Sequence, residues 1–85
     1  MSDPLLSYEV LAGVIAQCAG AQVEAVVLSS EKPTFDHLDV DSLGVLGIVA
    51  ELERLLGVRL GTDAEQCESP GELRDLVNSR HGSAG

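Results

Sequence analysis

Asp41-Ser42-Leu43-Gly44-Val45-Leu46-Gly47-Ile48-Val49-Ala50-Glu51-Leu52-Glu53-Arg54-Leu55-Leu56-Gly57 is the stretch that decides the fold. At about 100° per residue, Val45, Ile48, Val49, Leu52, Leu55 and Leu56 fall on one side of a helix, and that side must be core. Asp41-Ser42 heads it with two favoured capping residues, and Gly57 sits past the last turn where a C-cap belongs. Leu43, Leu46 and Ala50 point to another side, where Gly47 also lies, so the helix carries a second, smaller apolar surface next to its start. Gly44 and Gly47 each cost about 1 kcal/mol relative to Ala inside a helix. A chain this short has a net stability of roughly 4–13 kcal/mol, so such residues imply a close approach or a helix that turns flexibly.

Upstream, Leu6, Val10, Leu11, Val14, Ile15 and Cys18 recur at spacings of three and four, which predicts a helix starting after Asp3-Pro4 and ending at Gly20. From Ala21 to Asp41 the pattern breaks up around Ser29-Ser30 and Pro33, and reads as a long loop pinned by Val26, Val27, Leu28, Phe35 and Leu38. Downstream, Thr62 to Cys67 reads as one short helical turn capped by Thr62. Ser69-Pro70-Gly71-Glu72 offers a capping box with Pro at the first helical position, followed by Leu73, Leu76 and Val77. The expected fold is all-α: a small antiparallel bundle of three main helices plus one short helix, with a long loop between the first two. One domain spans residues 1–85, with an ordered core at about 4–79 and a flexible tail at 80–85.

Fourteen acidic residues against five basic ones give a formal charge of −9, which repels phosphate backbones and anionic membranes and attracts basic protein surfaces. Nucleic-acid and membrane partners are not expected. One Phe, one Tyr and no Trp leave the core to Leu, Val, Ile and Ala. Cys18 and Cys67 lack C-x-x-C spacing and neighbouring His ligands, so they read as reduced cysteines rather than as a zinc, redox or disulfide pair. No apolar run approaches a membrane span, and a monomeric cytoplasmic protein is expected.

Ser42 admits several readings. The plain one is a helix cap, since Asp and Ser side chains satisfy orphan backbone N–H groups. A catalytic serine needs a base and an oxyanion hole, yet the G-x-S-x-G elbow is missing and the only histidines are His37 and His81. A calcium loop starting at Asp39 fails because Leu43 and Ala50 fall where ligands are required. The wider neighbourhood carries more information. It runs Phe35-Asp36-His37-Leu38-Asp39-Val40-Asp41-Ser42-Leu43, then the amphipathic helix, Gly57-Val58-Arg59-Leu60, a short acidic turn and the Ser69-Pro70 helix.

This arrangement resembles the acyl carrier proteins over nearly the full length. Cys18-Ala19-Gly20 and Glu72-Leu73-Arg74-Asp75-Leu76-Val77-Asn78 are most similar to free-standing carriers of bacterial type II polyketide synthases. The resemblance implies a non-catalytic carrier whose Ser42 receives a 4'-phosphopantetheine arm from coenzyme A, through a magnesium-dependent phosphopantetheinyl transferase. That arm bears acyl or polyketide intermediates as thioesters. Asp41 and Leu43 are implied as transferase-recognition residues; Leu43, Leu46, Gly47, Ala50 and Glu51 as the docking surface for ketosynthase, acyltransferase and tailoring enzymes; and Val45, Val49 and Leu52 as candidate lining for an acyl chain. No catalytic or metal-binding residue is implied in the carrier itself.

The chain departs from the family pattern at two places. Asp39 stands where a Gly is usual, and Asp tolerates left-handed backbone better than most residues. Gly44 and Gly47 stand where many relatives carry acidic or larger residues, which removes charge from the docking face and points to partners that read shape. Fatty-acid and peptidyl carriers remain alternatives, as does an acidic helical interaction module in which Ser42 is only a cap.

Overall fold

The computed structural model describes residues 6–83, and these form five helices: α1 Tyr8–Ala19, α2 Ala25–Ser30, α3 Ser42–Leu56, α4 Gly61–Glu65 and α5 Pro70–Ser83. In α3 the cap is Asp41 rather than Ser42: its Oδ1 accepts from the Gly44 N–H at 2.8 Å, which makes Ser42 the first helical residue. Gly57 ends the helix at φ +66°, donating its N–H to Glu53 O. Val45, Ile48, Val49 and Leu52 are buried as expected, but Leu55 is 49% exposed and Leu56 only half-buried. The last turn of α3 turns Leu55 out of the core.

α1 begins later than the sequence suggested. Ser7 is its cap, with Oγ accepting from Val10 N–H, and Leu6 just before it is fully buried. Leu6 and Leu11 occupy the two positions of a hydrophobic staple, and both sit in the core. The expected start after Asp3-Pro4 lies outside the described residues. Val10, expected in the core, is 45% exposed, because the cap at Ser7 directs Leu11, Val14 and Ile15 inward instead. The Asn78 side chain of α5 holds Leu6 from both sides: Oδ1 accepts from Leu6 N–H at 2.8 Å and Nδ2 donates to Leu6 O at 3.3 Å.

The segment read as a loop contains α2. Its serines do not break it, since the hydroxyls of Ser29 and Ser30 both donate to Val26 O, at 3.1 and 2.7 Å, and Leu28 is driven into the core at 1% exposure. α4 likewise forms without the expected Thr62 cap. The carboxylate of Glu53 reaches across from α3 and accepts from Leu60 N–H at 2.8 Å and more weakly from Gly61 N–H. The capping box before α5 is present with a shift: Ser69 Oγ accepts from Glu72 N–H, and Glu72 Oε1 accepts from Glu68 N–H rather than from Ser69. From this strong start α5 runs to Ser83, past the expected end at Asn78 and through much of the expected tail. Extending a helix already nucleated adds a hydrogen bond per residue fixed. Residues 84–85 of that tail lie outside the described residues.

α1 packs against α2 and α3, with α5 closing over α1 and α2. A Cβ at Gly44 would fall 3.3 Å from Ala19 Cβ, and one at Gly47 would fall 3.8 Å from Cys18 Cβ. The head of α3 therefore lies against the tail of α1, as an antiparallel pair requires. Beside the core, Arg74 of α5 lies over the Tyr8 ring at 4.2 Å from its centre.

Candidate functional site

The head of α3 is presented by a tight turn. Leu38 N–H donates to Thr34 O, Asp39 N–H to Asp36 O and Val40 N–H to Phe35 O, at 2.9–3.1 Å. Closing this turn puts Asp39 at φ +64°, the left-handed region in which an Asp stands here instead of a Gly. Val40 then drops into the core at 7% exposure, and Asp41 and Ser42 emerge on the surface.

Because Asp41 does the capping, the Ser42 hydroxyl is left without a hydrogen bond among the described residues. The N–H groups of Ser42 and Leu43 are also unbonded there, so the first turn keeps free donors and a partial positive charge next to the hydroxyl. An exposed alcohol beside unpaired N–H groups at a helix start is a chemical setting that suits a phosphodiester. Asp36 and Asp41 line the same cleft as Ser42, so net charge there would not favour a phosphate group, which would depend on its covalent bond. Among the described residues no set of three His, Cys, Asp or Glu side chains is arranged to hold a metal.

Leu43 is 74% exposed and Leu46 43%, with Ala50 exposed one turn further along. Gly47 lies at the margin of this strip, half-buried against Cys18. Glu51 is turned further still. Its side chain is 17% exposed and paired with Arg54, which donates from Nε at 3.2 Å and through a shorter bond from Nη2. The bond from Arg54 holds the Glu51 carboxyl below its usual range. Burial pushes the nearby Cys18 thiol up, with Glu51 adding to the effect and Arg54 opposing it. The head of α3 thus presents an apolar strip with little free charge in it.

On the other side of Ser42 lies a cleft of about 490 Å³ that sequence reading missed. It forms where Phe35 N–H donates to Glu68 O at 2.9 Å, joining the turn before α3 to the segment after α4. Phe35, Val40 and Val45 give it an apolar floor. Val45 is the only one of the three candidate lining residues that reaches it; Val49 and Leu52 are closed into the core at 5% and 0% exposure. The one available signal was Phe35, a buried aromatic in an otherwise polar stretch. A larger hollow of about 740 Å³ lies at the far end of α3, around Glu53 and Leu60, and contains none of the expected site residues.

Comparisons with known proteins agree with this geometry. Residues 9–77 match the family described as "Phosphopantetheine attachment site". The chain is 41% identical over 83 residues to a probable acyl carrier protein of Streptomyces coelicolor, covering 92% of each chain. It is 37% identical over 78 residues to the oxytetracycline polyketide synthase acyl carrier protein of Streptomyces rimosus, covering 88% of this chain and 81% of that one. The solution structure of oxytetracycline acyl carrier protein superposes with a TM-score of 0.75 at 33% identity, covering all of this chain and 90% of the other. No described helix is long and apolar enough to cross a membrane. An all-helical bundle, a matched attachment region and relatives that share most of their length place this chain in the acyl carrier protein family, whose phosphopantetheine-binding domain carries the prosthetic group.

Proposed function

We propose that this chain carries polyketide intermediates as thioesters on a phosphopantetheine arm attached at Ser42, and presents them to the enzymes of a synthase without catalysing a step itself. The observation that carries this reading is the exposed Ser42 hydroxyl, left free by the Asp41 cap at the head of α3. When bound, the arm supplies a terminal thiol on which acyl groups ride. Asp41 fixes the backbone that holds the hydroxyl outward and keeps one carboxylate oxygen available to a transferase's metal. Leu43 adds an apolar contact beside it. The polyketide assignment draws support from relatives that carry oxytetracycline and curamycin polyketide synthase names.

Docking by ketosynthase, acyltransferase and tailoring enzymes falls to Leu43, Leu46 and Ala50, with Gly47 and Glu51 at the margin. The Glu51–Arg54 pair favours partners that read this face by shape, because the acid at the strip's margin is already matched by a cation. A monomer acting in the cytoplasm belongs to the same reading.

The test is loading. Wild type and Ser42→Ala are incubated with coenzyme A, magnesium and a broad-specificity phosphopantetheinyl transferase, and intact mass is recorded. The wild type gains one phosphopantetheine and the variant gains none, while both keep the same helical spectrum because the serine hydroxyl makes no hydrogen bond among the described residues. A wild type that stays unmodified sinks the carrier reading for Ser42.

A further inference from the structure

Gly44 stands where three elements meet. A side-chain carbon there would lie 2.9 Å from Val40 Cγ1 in the turn before α3, 3.3 Å from Ala19 Cβ at the end of α1 and 3.4 Å from Asp41 Oδ1, the atom that caps α3. The nearest of these neighbours has little freedom to give way, since Val40 is buried and its β-branched side chain has few rotamers. Gly13 in α1 shows the contrast, because nothing lies within 4 Å of a Cβ placed there. The bare α-carbon of Gly44 is therefore what lets the turn carrying Asp41 and Ser42 seat against α1 and α3.

From this packing we infer that Val40 and Gly44 form a matched pair that positions the Ser42 hydroxyl for modification, with Gly44 a positioning residue acting through Val40 and Asp41. The inference rests on the carrier reading and assigns two residues to its loading step. In that step Ser42 Oγ forms a bond to the pantetheine-side phosphorus of coenzyme A as the bond to the departing adenosine bisphosphate breaks, and the hydroxyl proton passes to a base of the transferase. Such a displacement needs the attacking oxygen roughly in line with the leaving one. Relaxing a contact of 2.9 Å to an ordinary one of 3.4 Å displaces the turn by about half an ångström. A misplacement of about 1 Å costs on the order of 10²-fold in rate, so this smaller one costs about tenfold. Leu46 and Ala50 of the proposed docking strip lie C-terminal to position 44 on the same helix, so docking is largely kept.

The test follows loading by intact mass in single turnovers, with saturating coenzyme A and magnesium and a broad-specificity phosphopantetheinyl transferase in excess over the carrier. The maximal rate then reports transfer, and the half-saturating transferase concentration reports docking. Gly44→Ala lowers the maximal rate about tenfold and leaves half-saturation within about twofold, while Gly13→Ala loads like wild type. In a Val40→Ala background the nearest contact is gone, and adding Gly44→Ala changes the maximal rate by less than about threefold. An effect of Gly44→Ala that is as large without the Val40 side chain, a loss confined to half-saturation, or no loss at all overturns the inference. Should Gly44→Ala alone lose its helical spectrum, Val40→Ala and Val40→Ala/Gly44→Ala decide: similar maximal rates uphold the pair, and a gap of about tenfold overturns it. A wild type that gains no phosphopantetheine counts against Ser42 as carrier site, whereas a wild type that loads alongside an unaffected Gly44→Ala counts against the pair alone.

Discussion

Replacing Gly44 and Gly47 by Ala, one at a time, should move stability in opposite directions. On propensity alone each change gains about 1 kcal/mol, since Gly is that much poorer than Ala inside a helix. At Gly47 the new methyl finds Cys18 Cβ at 3.8 Å and Cys18 O at 4.0 Å, ordinary contact distances, so the gain is kept. At Gly44 it meets Val40 Cγ1 at 2.9 Å and Ala19 Cβ at 3.3 Å. Val40 is buried and stiff at χ1, so relief requires moving the turn that carries Asp41 and Ser42. Overpacking of this kind costs roughly 1–3 kcal/mol, which leaves Gly44→Ala between neutral and about 2 kcal/mol destabilised. For a domain of this size 1 kcal/mol corresponds to about 4–8 °C in Tm. Urea and thermal unfolding should therefore place Gly47→Ala above wild type by about that interval and Gly44→Ala at or below it. Adding Val40→Ala to Gly44→Ala should recover part of the loss, with a coupling of about 1 kcal/mol in the double-mutant cycle. A Gly44→Ala protein as stable as Gly47→Ala, or a cycle with no coupling, would refute the close-approach argument. The same geometry rules out a simple acidic substitution at position 44 as a way to restore docking charge, since its Cβ already lacks room.

Three further outcomes follow from the described contacts. Asp39 sits at φ +64°, so Asp39→Val should destabilise by about 1–2 kcal/mol while Asp39→Gly stays near neutral, as read by chemical denaturation; equal effects would show that the turn tolerates any residue. Asn78→Ala removes both bonds that hold the buried Leu6 backbone and should cost about 1–3 kcal/mol, with the Leu6 amide losing hydrogen-exchange protection first; an unchanged protection pattern would remove the clamp from the account. Burial, then Glu72 and then Asp63, push the Cys67 thiol up, so folding favours the protonated form. That contribution is fully present below the ordinary thiol pKa of about 8.5 and disappears as pH rises through the raised value. The stability difference between wild type and Cys67→Ala, measured from pH 7.5 to 10.5, should shrink with rising pH; a constant difference would contradict it.

The long helices were legible because their apolar residues recur at three and four and their ends carry strong punctuation, Gly20 and Gly57 at left-handed φ and Asp41 and Ser69 at the caps. The head of α3 was legible for the same reason, since Asp41-Ser42 marks a helix start, whereas the choice of Ser42 as candidate site came from the resemblance carried by residues 35–43 and the helices around them. What escaped depends on tertiary contacts. α2 has no capping side-chain bond at Glu24 and holds together through Leu28 in the core and the back-bonded serines. α4 takes its cap from Glu53, seven residues away from Leu60. Val10 and Leu55 were read as core because periodicity gives direction but not how far the neighbouring helices extend. The cleft joins two segments through a single backbone bond, from Phe35 to Glu68, and nothing local in either segment announces it.

Serine is itself a competent cap, and had Ser42 served as one, its hydroxyl oxygen would be both a brace of the fold and, on the proposed reading, the point of chemical attachment. Giving the brace to the adjacent Asp41 separates the two duties. The fold makes no use of the Ser42 hydroxyl, so on the proposed reading bare and loaded forms can share one folded shape. Differences between them that a partner enzyme detects must then come from the arm and its cargo, together with any change at the cleft beside it.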